Sequence, residues 1–68
     1  MESPLEPSEI FALIVKADEK LKYATDARAG QRVEQARGLL QEALDAANAI
    51  GNEQLAAQAQ LRLDELDA

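Results

Sequence analysis

The chain has 68 residues, 13 acidic and 7 basic, for a formal net charge of −6, and it contains neither cysteine nor histidine. Disulfide staples and thiolate metal sites are thereby excluded, together with the commonest general base and the commonest metal ligand. An enzyme on this chain would have to run on carboxylates, lysines, Tyr23 or hydroxyls, and the charge opposes phosphate backbones and anionic lipid.

A chain this short buries only about 60% of its unfolded surface, so one small domain is expected. Charge is uneven along it. Residues 1–15 hold three acids and no base, residues 16–37 hold six bases against four acids, and residues 38–68 hold six acids against Arg62 alone. This unevenness describes either solvated helix faces or a chain able to associate head to tail or to bind a mixed-charge partner.

Residues 1–7 (MESPLEP) form an expected flexible lead-in. Two helix-start signals follow one another. Ser3-Pro4-Leu5-Glu6 puts proline at a first helical position with Glu6 completing a capping box, and Ser8-Glu9 stands directly before an apolar run. A start near Pro7 or Ser8 is favoured because that run begins at Ile10, giving a first helix over about residues 8–24. Ile10, Leu13, Ile14, Ala17, Leu21 and Ala24 share one stripe at about 100° per residue. Phe11 and Val15 lie roughly 100–140° from the stripe centre, on a line that Asp18 and Lys22 continue towards solvent. They either wrap the edge of a wide core face or are offered to a partner. The run Ile10–Val15 is six residues long, far short of the roughly 18 of a membrane span. Acids, not bases, precede it, so it is no signal peptide. A soluble, cytoplasmic protein is expected.

Thr25 to Gly30 (TDARAG) mixes caps, helix formers and a breaker. The turn is either tight at Thr25-Asp26, with a second helix from Ala27, or a looser loop ending near Gly30. The second helix spans about residues 27–50. Ala29, Val33, Ala36, Leu40, Ala43, Leu44 and Ala47 make its broad face, and Leu39, Ala46 and Ile50 extend it to a second side. Gly38 sits mid-helix, disfavoured by about 1 kcal/mol against alanine. It marks either a close helix crossing or a tolerated surface glycine. Gly51 reads as the left-handed stop and Asn52 as the next cap. The third helix covers about residues 53–66, with Leu55, Ala59, Leu63 and Leu66 on one stripe and Ala56 at its edge. Ala57 and Leu61 lie on the opposite side. Only six β-branched residues occur (Ile10, Ile14, Val15, Thr25, Val33, Ile50) and none alternate, so the fold class is all-α: a three-helix antiparallel bundle.

Catalytic constellations do not emerge. Gly30, Gly38 and Gly51 are isolated, with no nucleotide-binding loop. Asp64 and Asp67 have the spacing at which helix ligands converge, but they are read as part of a solubilising, frayed C-terminus and not as a metal site. Lys16 and Lys20, one turn apart beside Tyr23, either hold a small anion or acidic peptide or form a solvated rim over apolar surface. One phenylalanine and one tyrosine provide no stacking platform for nucleic acid. No cofactor or metal is expected.

ARGLLQEALDAANAIGN, residues 36–52, resembles the second helix of a tetratricopeptide repeat. Ala36, Leu40, Ala43 and Leu44 fall on that family's small-large signature, followed by Gly51-Asn52 as the stop. EQLAAQAQLRLDEL then looks like the first helix of a following repeat, with Ala57, Ala59 and Leu63 in register. Leu40 replaces the usual aromatic, and Asp64 stands where a small residue is usual. The likeness covers about half the chain, some one and a half repeats, where three or more are normally needed for a stable array. The chain bears a weaker likeness to three-helix microtubule-interacting-and-trafficking domains. Either it is a three-helix bundle sharing the packing idiom, or its core is completed by a second copy or another chain. The resemblance implies a peptide- or helix-binding module.

The function expected is therefore a non-catalytic protein–protein interaction module that docks a partner helix or peptide through Phe11 and Val15 on the first helix and Ala57 and Leu61 on the third. A structural, homodimerising bundle is the alternative, whether as a whole small protein or as a piece of a larger repeat protein. No nucleic-acid or membrane partner is expected.

Overall fold

In the computed structural model, which describes residues 5–23 and 29–67, the chain forms α1 (Pro7–Lys22), α2 (Ala29–Ala49) and α3 (Glu53–Asp67). Pro7 opens α1 because its fixed φ suits the first turn, where its missing N–H is not needed. Leu5 and Glu6 are extended or non-helical, so the helix does not begin at Pro4. Glu6 is the cap, and its backbone N–H donates to the Glu9 carboxylate at 3.2 Å, closing the reciprocal arm of a capping box. The lead-in is partly docked, since Leu5 packs half-buried against the core.

The expected end of the first helix at Ala24 and the tight turn at Thr25-Asp26 lie outside the described residues. Ala29 and Gly30 are already helical, and the choice between the tight turn and the looser loop falls on residues outside those described. The other break is as the sequence reads. Gly51 takes φ +69°, and its N–H donates to the Asn48 carbonyl at 3.2 Å while that of Asn52 donates to Ala47 at 2.8 Å. This pair of bonds is the Schellman motif, which satisfies carbonyls that the helix end would leave open. The Asn52 side chain then accepts from the Leu55 N–H at 3.1 Å, capping α3.

Helical spacing selects the core. Ile10, Ile14 and Ala17 of α1, Ala36, Leu40, Ala43 and Ala47 of α2, and Leu55, Ala59 and Leu63 of α3 are buried. Five of these ten are alanines with no exposed surface. Small residues at the seam let helix axes approach towards the short end of the usual range, about 8 Å. No polar side chain is buried among the described residues, so no desolvated group needs a partner.

α2 is the central element. It packs along α1 on one side and α3 on the other, whereas α1 and α3 barely meet. The half-buried Leu39, Leu44 and Ala46 pack against the core beside them and widen the apolar face of α2. The result is an all-α, up-down-up bundle left open along the α1–α3 edge. Gly38 is exposed, and a Cβ built there meets nothing within 4 Å. It is the surface glycine of the two alternatives.

Candidate functional site

Among the described residues, one ion pair crosses the open edge. Arg62 Nε of α3 donates to both carboxylate oxygens of Asp18 on α1, at 2.9 and 3.2 Å. The same guanidinium donates to the Gln58 carbonyl at 3.2 Å, which fixes its direction along α3. Asp18 is exposed, as expected of a residue that continues the Phe11–Val15 line towards solvent, and it also reaches across to α3. Residues 11, 15, 18 and 22 follow one another at helical spacing, so their line runs down the side of α1 that faces α3.

Phe11, Val15 and Leu61 are respectively 50%, 38% and 59% exposed. Phe11 and Val15 therefore do not close over the core. Leu61 lines a shallow groove of about 490 Å³ at the α1–α3 edge, with Asp18, Leu21, Arg62 and Leu66. Phe11 and Val15 are not in that groove's wall. They stand on the same edge of α1, one and two turns before Asp18. Ala57 is exposed one turn before Leu61, but a methyl group presents little area. The structure thus draws Leu61 to the α1 edge that carries Phe11 and Val15 and leaves Ala57 as flanking surface.

A second cleft lies on the other side of α1, against α2. Its volume is about 460 Å³, and Lys16, Glu19, Lys20, Tyr23, Arg32 and Leu39 line it. The Lys16–Lys20–Tyr23 cluster was legible from spacing alone. Arg32 and Leu39 were not, because they join it only through the packing of α2 on α1. Lys22 also sits over the Tyr23 ring, 5.7 Å from its centroid, within reach of a cation–π attraction.

Charge sorts itself by helix face. Arg37 of α2 binds Asp67 near the end of α3 and lies 3.6 Å from Glu34. The hydrogen bond and charge of Asp67 push the Arg37 pKa further above its ordinary value, so this arginine is always a cation. Part of the basic-middle, acidic-end asymmetry is therefore satisfied within the chain. Lys16, Lys20 and Arg32 are different: among the described residues none lies within ion-pair distance of a carboxylate. Asp67 is held by Arg37 and Asp64 accepts from Gln60 at 2.9 Å. No group of three or more potential metal ligands gathers among the described residues, and no described helix is long and apolar enough to cross a membrane.

Comparison with known proteins finds no matching family model, no similar curated protein and no similar solved structure. Function must therefore be argued from these faces.

Proposed function

We propose that this chain is a non-catalytic interaction module that docks a partner helix or peptide through the exposed apolar side chains Phe11, Val15 and Leu61, with Ala57 at the margin. The observation that carries this reading is the open α1–α3 edge. A fully packed core lies beneath, so these side chains are surplus to folding, and bulky apolar groups along one edge mark interaction sites when contiguous. The central α2 flanked by α1 and α3, with alanines at the seams, supports a tetratricopeptide-like use of the α2–α3 hairpin. A cytoplasmic location belongs to the same reading.

The experiment compares wild type with Phe11→Asp and Leu61→Asp as baits against extract from the native source, alongside light scattering of each. Retention of a partner by wild type and its loss in both variants is expected. Identical binding profiles for all three proteins, with no change in mass, refute the reading. The homodimerising alternative rests on the same apolar edge. It predicts a thermal midpoint that climbs with protein concentration, which a monomeric binder does not show.

A further inference from the structure

The α1–α2 cleft is the other unassigned feature, and its chemistry is specific. Three cations, Lys16, Lys20 and Arg32, face a single lining acid, Glu19, on a chain with almost twice as many acids as bases. Lys20 and Arg32 are half-buried, as side chains are whose stems cover apolar surface while their charged heads stay at the rim. Leu39 and Tyr23 supply apolar wall. Its size falls within the roughly 300–1,000 Å³ of ligand clefts and exceeds what a small anion fills. The complement is an acidic surface that presents one bulky apolar side chain.

This chain carries such a surface. On α3, Leu61 is exposed, and Asp64 and Glu65, three and four residues further on, are exposed beside it. Residues at those spacings stand together on a helix surface. Neither Asp64 nor Glu65 is paired with a cation among the described residues.

We propose that the α1–α2 cleft receives the outer face of α3 from a second copy of this chain, Leu61 entering towards Leu39 and Tyr23 while Asp64 and Glu65 meet Lys16, Lys20 and Arg32. The contact is between unlike surfaces of identical chains. It shares Leu61 with the function proposed above but does not use Phe11 or Val15, so a Phe11→Asp chain still assembles and the two readings fail separately.

Charge reversal tests it. One variant combines Lys16→Glu, Lys20→Glu and Arg32→Glu; the other combines Asp64→Lys and Glu65→Lys. All five positions are exposed or half-buried, and circular dichroism checks that each variant remains helical. Sedimentation equilibrium on wild type up to about 1 mM, the weak end of specific affinity, should show mass above the monomer. Each variant alone should be monomeric, and an equimolar mixture of the two should regain assembly, because each cleft then faces an α3 of opposite sign. The α3 variant is the stricter arm, since its substitutions reduce the net negative charge and relieve general repulsion between copies. Leu61→Ser should weaken assembly about tenfold or more, in line with the transfer of a leucine side chain back to water. The proposal is overturned if wild type is monomeric throughout, if either reversed variant assembles as wild type does, or if the mixture stays monomeric.

Discussion

Gly38→Ala separates two accounts of the same residue. Glycine in a helix interior is about 0.5–1 kcal/mol worse than alanine, largely because the unfolded chain gains freedom that folding must remove. Alanine recovers that difference only where its methyl group fits. At Gly38 it does: the position is exposed and a built Cβ has no neighbour within 4 Å. In a domain of this size about 1 kcal/mol moves the midpoint by roughly 4–8 °C. Gly38→Ala should therefore raise Tm by about 2–8 °C, with binding to any partner unchanged. The assay is thermal unfolding followed by far-UV circular dichroism at two protein concentrations a hundredfold apart. An unchanged or lowered midpoint refutes the open-surface account. A loss confined to the higher concentration would place another chain against Gly38, and a loss at both would place a neighbour within the same chain there.

Leu40→Ala empties the centre of the bundle. Leu40 is fully buried, such truncations cost about 2–5 kcal/mol, and 68 residues support only about 3–10 kcal/mol in all, so the cooperative melt should broaden or vanish by calorimetry. Gly51→Ala forces a Cβ into a positive-φ site and should lose about 1–2 kcal/mol in urea titration. Asn52→Ala should lose about 1 kcal/mol; a neutral result for either would deny the α2–α3 turn its Schellman and capping bonds. A double-mutant cycle over Asp18→Asn and Arg62→Gln should give a coupling of about 0.2–1 kcal/mol that shrinks as salt rises; a coupling well above this range would mean that the α1–α3 edge is closed and dry.

The parts of the fold that follow from local chemistry were legible in the sequence. Ile10, Ile14 and Ala17 repeat at helical spacing, as do Ala36, Leu40, Ala43 and Ala47, and as do Leu55, Ala59 and Leu63. An error on such a stripe exposes or buries whole side chains at kcal/mol scale, so the pattern is strongly written. Gly51-Asn52 was legible for a similar reason, since few residue pairs both stop one helix and start the next. The start of α1 was less so. Glu6 proved to be the cap, with Glu9 answering it, although glutamate is a poor capping residue by type and Ser3 and Ser8 stood close by.

The outer surface was legible only one helix at a time. Arg32 and Arg37 show why. Both are half-buried arginines on α2, and the sequence around them is equally helical. Five residues on an α-helix turn the side chain by about 140°, which sends Arg37 to the α3 side and Arg32 to the α1 side. Arg37 there finds Asp67; Arg32 finds two lysines and one glutamate. Swapping an exposed lysine for a glutamate changes stability by only tenths of a kcal/mol, so folding does little to dictate such a grouping. Three cations gathered by two helices, on a chain with 13 acids against 7 bases, are not accounted for by the stability of the bundle itself. An acid brought from outside would account for them, and in the self-association proposed above α3 of a second copy brings that acid next to an exposed leucine.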